Sequence, residues 1–366
     1  MSQISDSRSF RGSVTSLQKD CIVNPTNEKI ADKFVYVDLE SVKQGQLYKY
    51  QILTKENAPS RAQRVLHTDD ILFQCVRPYQ MNNYMVKETM SDIQWVASTG
   101  YAQIRTQTDY PAFLYYVLNT SKYNKAVMVR CTGSSYPAIN SEDLSKIPFY
   151  KCGIAEQKKI ADFLSLLDER IATQNKIIDK LQSLIKGIAQ HCIRVLINGW
   201  EYVRLGDICK ITTGKLDANA QVENGQYPFF TCAERPFNID SYAFDTEALL
   251  ISGNGANLGY INYYKGKFNA YQRTYVLDHF SVNIQYVKWA LKVLLPQRIA
   301  IEKSSSNTPY IVLSTLADLK IPIPNNSKQN QIADLMMSFE RKLSTQLVLN
   351  DLYNKQKQYL LRQMFI

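Results

Sequence analysis

Among the 366 residues of this chain, seven cysteines, three histidines and the glycine-rich segment around Gly253 are the types that invite chemistry. Cys21, Cys75, Cys131, Cys152, Cys192, Cys209 and Cys232 stand far apart with no Cys-x-x-Cys pair, so a zinc centre is not expected. They read as reduced, buried thiols acting as small apolar groups. GNGANLG, with Gly253, Gly255 and Gly259, lacks the G-x-G-x-x-G spacing, and a strand pattern follows it where a pyrophosphate-holding helix would be needed. It reads as a tight turn that brings backbone close to a ligand. Asp318-Leu319-Lys320 fits the acidic-x-Lys tail of many nucleases, but Asp143-Leu144-Ser145, in a similar context upstream, lacks the lysine, and the segment reads as a strand end. No Walker loop, G-x-S-x-G elbow or N-P-P-[FYW] methyltransferase motif is present, and Asn24-Pro25-Thr26-Asn27 does not match the last. The chain by itself is expected to catalyse nothing.

The elements around these residues show a clearer pattern. DLSKIPFYKCGIAEQKKIADFL is answered near the C-terminus by DLKIPIPNNSKQNQIADLMM. Ile160, Ala161 and Asp162 match Ile332, Ala333 and Asp334 at an offset of 172, which also pairs Gln157 with Gln329, Thr173 with Thr345 and Gln174 with Gln346. Ile147-Pro148 matches Ile321-Pro322 after a two-residue length difference. A period this long is no solenoid but a duplicated unit, each copy a globular region followed by one long helix.

From Ile160 the first helix steps by fours and threes through Leu164, Leu167, Ile171, Gln174, Ile178, Leu181, Ile185, Ile188 and Cys192, the seam of a coiled coil. The second seam, Ile332, Met336, Phe339, Leu343, Gln346, Asn350, Tyr353, Lys357, Leu360 and Met364, is less pure. Asn350 and Lys357 suit a dry interface poorly, so the stripe is expected to drift toward Leu347, Leu349 and Leu352. About 38 residues at ~1.5 Å each make a rod of about 57 Å, long enough to act as a spacer. Gln174 and Gln346, each at a helix midpoint, are expected to meet as a polar layer that fixes register.

Composition bounds the partner. With 45% hydrophobic residues the chain can fill two cores without disulfides or metals, and a net charge of +10 with a pI near 9.1 favours a polyanion. No run reaches the 18 apolar residues of a membrane span, and the polar start MSQISDSRSFRGS lacks the core of a signal peptide, so the cytoplasm is expected.

In the first globular region FVYVDL, ILFQCV and WVASTGYAQIRT read as strands, and YPAFLYYVLNTSKYNKAVM starts a helix. In the second, WEYVRLGDICKITTGK keeps a helical spacing through Leu205, Ile208 and Ile211 and reads as a short helix ending in a turn. YPFFTC, the segment from Ala248 to Leu277, and FSVNIQYVKWALKVLL read as strand, hairpins and helix.

The duplicated plan, the IPxP…Q..IA.FL…D..I string with its long helix, and W….LGDI…TGK resemble the specificity subunit of Type I restriction-modification systems. FVYVDLESVKQG, ILFQCVRPY, STGYAQIR and GSSYPAIN resemble one type of target-recognition domain; YPFFTCAERPFNIDSYAFD, ALLISGNGANLGYINYYKGKF and QRTYVL resemble a second. At the start, only Leu17 and Asp20-Cys21-Ile22 echo Leu205 and Asp207-Ile208-Cys209.

The resemblance implies an α+β fold: two mixed α/β target-recognition domains separated by two long antiparallel coiled-coil helices with pseudo-twofold symmetry. The domains would be residues 1–152 and 196–325, the spacer helices 153–195 and 326–366. Each domain would read one half of a bipartite site on double-stranded DNA. Partners would be two modification (methyltransferase) subunits, which bind S-adenosylmethionine and methylate adenine, and restriction subunits that use ATP and Mg. The helices would dock the modification subunits through faces such as Glu156-Lys158-Lys159 and Asp168-Glu169-Arg170.

DNA readers of this kind use Arg, Lys, Ser, Thr, Asn and Gln carried on loops. In the first domain the candidates are Arg61, Arg64, Arg77, Tyr79, Arg130, Ser134, Ser135 and Tyr136; in the second, Lys215, Asn254, Asn257, Gln272, Arg273, Lys303, Ser304 and Ser305. Two rival classes remain, a solitary nuclease and a coiled-coil scaffold without a DNA role. Unaided cutting or methylation would mark the first; failure to bind DNA even beside a modification subunit would mark the second.

Overall fold

The computed structural model describes residues 12–26, 28–43, 45–87, 93–195, 199–303 and 310–365. The chain forms two compact units, one of residues 1–174 with 349–366 and one of residues 175–348. Both long helices form, Ile154–Arg194 and Asn326–Met364, and each contributes one half to each unit.

The first unit holds two four-stranded sheets. One runs in the order Gln51–Thr54, Lys33–Val37, Gln94–Ser98, Ala62–Val65, with its middle pair parallel. The other runs Cys21–Val23, Tyr101–Thr106, Ile71–Gln74, Tyr84–Met85, all antiparallel. The helix Pro111–Leu118 buries every residue after its proline, as a helix apolar all round must. It shares one core with Leu17, Phe73, Ile104, Leu164 and, from the second long helix, Leu361.

The second unit is built on one six-stranded sheet: Lys210–Thr213, Thr274–Asp278, Phe244–Ser252, Ile261–Ala270, Tyr227–Phe230, Phe237–Ile239. Its core joins Leu249, Leu277 and the helix Ile284–Lys303 to Leu181, Ile185, Ile332 and Met336 of the long helices. Similar long helices therefore carry two different sheet topologies.

Each domain begins and ends in a two-stranded neck, Ser13–Ser16 against Pro148–Lys151 and Glu201–Arg204 against Lys320–Ile323, both antiparallel. One helical turn follows each neck, Leu17–Asp20 and Leu205–Ile208. The structure thus matches Leu17 to Leu205 and Cys21 to Cys209, all four buried, and sets Asp20 opposite Ile208, not Asp207. It also corrects the helix expected through Ile211. Cys209 is extended (φ −154°, ψ 161°), and Lys210–Thr213, rich in β-branched residues, pairs with Thr274–Asp278 as an edge strand.

The repeated glutamines are built into equivalent joints. Gln157 is 1% exposed; its amide accepts from Tyr110 N–H at 2.9 Å and donates to Asp109 and to the Cys152 carbonyl. Gln329 is 2% exposed; it accepts from Asn283 N–H at 2.9 Å and donates to the Pro324 carbonyl. Tyr110 N-caps Pro111–Leu118 and Asn283 precedes Ile284–Lys303, so each glutamine fastens a domain helix to the first turn of a spacer helix. Removing it orphans buried backbone groups, so Gln329→Ala should cost about 2 kcal/mol, read by urea denaturation. A loss within ~0.5 kcal/mol would show the joint to be energetically idle.

Within the first unit the two long helices run antiparallel: Arg170 Nε donates to Tyr353 Oη at 2.8 Å, and one turn on Lys357 pairs with Asp168 at 2.6 Å. Of the residues toward which the second seam was expected to drift, only Leu349 is half-buried. Leu347 and Leu352 face solvent, while Asn350, Tyr353 and Lys357 stay half-buried; Asp168 and Arg170 supply the partners that make Lys357 and Tyr353 tolerable there, whereas Asn350 Oδ1 is buried with no hydrogen-bond partner among the described residues. Gln174 is buried in the seam at 5% exposure and Gln346 is half-buried.

Candidate nucleic-acid interface

In the first unit, strand ends and turns enclose a cleft of about 730 Å³. It is lined by Lys43, Tyr48, Lys49, Arg61, Arg77 and Tyr136 and floored by Gln74, among others. Three predicted residues, Arg61, Arg77 and Tyr136, thus meet although they come from separate loops.

The cleft is held by buried amides and a strained turn. Gln74, at the end of Ile71–Gln74, donates to the Val76 carbonyl and to Gln80 Oε1 at 2.8 Å and accepts from Asn82 N–H. Arg77 and Met81 bracket the 3-10 turn Pro78–Gln80 with left-handed backbones, φ 54° and 52°. Such residues persist only where the surroundings hold them, as at ligand-binding turns. Arg77 N–H donates to the Pro137 carbonyl at 2.7 Å, and the Arg77 guanidinium lies over the Tyr136 ring at 4.5 Å. Lys43 lies over Tyr48 at 4.7 Å, and Lys49 pairs with Glu40 at 2.8 Å. The cleft thus carries four cations against the single carboxylate of Glu40 among its lining residues.

The remaining first-domain candidates are dispersed. Tyr79 is exposed on the 3-10 turn beside the cleft, and Ser134 and Ser135 are exposed on the loop that carries Tyr136. Arg64 sits in Ala62–Val65 with its Nε buried and no partner among the described residues, and burial pulls its pKa down, with Cys75 opposing weakly. Arg130 turns back to the Ala126 carbonyl of its own helix at 2.8 Å and lines a separate apolar groove with Tyr123 and Phe149.

In the second unit, five candidates gather where the six-stranded sheet ends. Cys232, just beyond Tyr227–Phe230, donates its thiol to Asn254 Oδ1 at 3.0 Å, and its carbonyl accepts from Asn257 Nδ2 at 3.0 Å. Gly253 N–H donates to the Arg273 carbonyl and Gln272 N–H to the Leu216 carbonyl, which ties the GNGANLG turn to Gln272, Arg273 and the strand exit at Lys215. Lys215, Gln272 and Arg273 are exposed, and the asparagines are half-buried. Gly214 admits no side chain: a Cβ there would lie 1.9 Å from the Ala270 carbonyl oxygen. Lys303 ends the helix Ile284–Lys303, and Ser304 and Ser305 lie outside the described residues.

Sequence reasoning missed Lys43, Tyr48, Lys49 and Gln74 in the cleft, and Cys232 beside the asparagines. The basic and aromatic interleaving of KQGQLYK was the available signal for the first three. A further ionic joint also escaped it: Lys288 and Lys292 of the domain helix grip Glu340 of the second long helix at 2.7 and 2.9 Å. Burial pushes the Glu340 carboxyl up, but the two ammonium groups outweigh this and hold it below its usual value. Lys288, the deeper lysine, is held low by its own burial.

All seven cysteines are free thiols, and the described residues contain no group of three His, Cys, Asp or Glu placed to hold a metal. No helix among the described residues is long and apolar enough to cross a membrane.

The family model for the Type I restriction modification DNA specificity domain matches twice, over residues 23–183 and 197–350. The chain is 44% identical over 135 residues to the Type I restriction enzyme EcoDI specificity subunit of Escherichia coli, covering 37% of this chain and 30% of that protein. It is 24% identical over 251 residues to the MjaIX specificity subunit of Methanocaldococcus jannaschii, 58% of each. The chain thus spans between about a third and three-fifths of these relatives' lengths. Among solved structures, the Type I restriction-modification S subunit from M. genitalium shares the fold across 98% of this chain and 97% of that one, with a TM-score of 0.70 at 16% identity. A chain from a type I R-M system, solved in work on complex assembly and conformational transition, covers 96% of this chain and 97% of its own, with a TM-score of 0.59 at 21% identity.

Proposed function

The chain belongs to the Type I restriction modification DNA specificity domain family, and from that premise we propose that it is the non-catalytic, sequence-reading subunit of a Type I restriction-modification complex. Each domain reads one half of a bipartite site on double-stranded DNA, and the long helices set the separation of the halves and dock two modification subunits. Those subunits bring S-adenosylmethionine and methylate adenine; restriction subunits bring ATP- and Mg-dependent translocation and cutting. The assembly works in the cytoplasm, and Gln174 with Gln346 fixes the helix register.

The observation that carries this reading is the pairing of sameness with difference. The necks, the glutamine joints and the long helices repeat, while the larger sheets and their terminal loops do not. A shared frame with two unlike readers suits a split target. The reader loops collect Arg, Lys, Asn and Gln, the side chains that bind base edges and phosphates.

The test is to express the chain with its modification subunit and map methylated adenines across the host genome. The expected result is one new bipartite motif that disappears when the chain is omitted. Methylation without such a motif would overturn the proposal.

A further inference from the structure

The cleft of the first domain contains two kinds of cation. Lys43 and Lys49 are compact charges on flexible stems, suited to phosphates. Arg77 is different. Its backbone is locked in the left-handed region at φ 54° by the bond from its N–H to the Pro137 carbonyl. One face of its guanidinium is covered by the Tyr136 ring at 4.5 Å. Its guanidinium donates to no described residue, whereas Arg105 is bound to Asp70 and Arg130 to Ala126. A planar fork with an aromatic ring behind it and its N–H donors uncommitted matches two adjacent acceptors in one plane. In the DNA major groove that pattern belongs to guanine, through O6 and N7; adenine offers one acceptor and one donor, cytosine a donor, and thymine one acceptor beside a methyl group.

We propose that Arg77, held in place by Tyr136, is a specificity-determining residue that reads a guanine in the half-site of the first domain. This rests on the DNA-reading function proposed above and narrows it to one base at one position. Tyr136 acts through Arg77 as a positioning residue. It is 63% exposed, so replacing it disturbs little of the core.

The experiment maps methylation motifs for the complex carrying wild-type chain, Arg77→Lys, Arg77→Ala and Tyr136→Leu, with binding to duplexes changed base by base in the first half-site. Both Arg77 variants should lose about 10- to 100-fold discrimination at a single guanine, because a lysine keeps the charge but not the fork. Tyr136→Leu should lose about 3- to 5-fold at the same guanine. The second half-site and the spacing should not change. The inference is overturned if Arg77→Lys leaves the motif intact, if Arg77→Ala weakens all sequences alike, or if the relaxed position is not a guanine. If the wild-type chain yields no bipartite motif, the functional reading fails and this inference falls with it, which separates the two failures.

Discussion

Replacing Lys43, Lys49 and Arg61 together by alanine should lower DNA affinity by about 10²-fold at 0.15 M salt and flatten the slope of log K against log salt by between about two and three. The arithmetic follows from counterion release: each phosphate neutralised contributes about 0.9 to that slope on duplex DNA. The three side chains line one cleft, and none is buried beneath the protein surface, so their loss removes charge without opening a cavity. The effect should be blind to sequence, because phosphates carry no base identity. Binding isotherms of the assembled methyltransferase at three salt concentrations check it. A slope unchanged within ~0.5 would mean that the cleft does not face the duplex. This behaviour is the opposite of that expected for Arg77, whose loss should change which base is chosen more than how tightly any duplex is held.

Asp70→Ala should destabilise the first unit by about 3 kcal/mol and lower its melting temperature by roughly 6–12 °C. Asp70 is fully buried and accepts four hydrogen bonds: from Arg105 Nε and Nη2 at 2.8 and 2.9 Å, from Gln103 at 2.7 Å, and from His67 N–H at 2.8 Å. Removing the carboxylate leaves the guanidinium, the His67 N–H and one N–H of the Gln103 amide without their acceptor, Gln103 keeping its bond to the Val65 carbonyl, and that orphaning, more than the lost attraction, sets the cost. Arg105 remains about one-third exposed and can reach water, which places the estimate at the low end for buried pairs. The double variant Asp70→Ala/Arg105→Ala should therefore recover part of the loss. Calorimetry on the whole chain distinguishes the cases, since the second unit's transition should not move. A single variant within ~1 kcal/mol of wild type would show that the network contributes little.

The long helices were legible because heptad spacing is a local signal, and their bounds in the structure fall close to the periodic stretch. The drift expected toward Leu347, Leu349 and Leu352 failed at Leu347 and Leu352 because it judged Lys357 by polarity alone; its partner Asp168, like the Arg170 that binds Tyr353, lies far away in sequence and could not be assigned from one strand of the seam. Gln157 and Gln329 stood out as a repeated pair, but what they bind, the caps of the domain helices, was hidden for the same reason. Arg61, Arg77 and Tyr136 were singled out as candidates by residue type. Their convergence was not, since it depends on a sheet edge and on two left-handed residues that no local pattern announces. The one-turn helix before Lys210 was overextended because Ile211 fits both a helical and a strand spacing, and strand pairing decided between them.

The two-stranded necks have a consequence for how such chains diversify. Each domain's first and last strands lie side by side in register, Val14 opposite Tyr150 and Tyr202 opposite Pro322. A domain is therefore a loop on a stalk, and everything between the two strands can be replaced through two neighbouring splice points without cutting a sheet of the domain or lengthening a spacer helix. A foreign reader would need only its own opening turn and a domain helix whose leading backbone N–H meets the frame's glutamine, as Tyr110 meets Gln157 and Asn283 meets Gln329. If the domains read DNA as proposed, recombination acting at the stalk would exchange half of a target at a time and leave the long helices untouched.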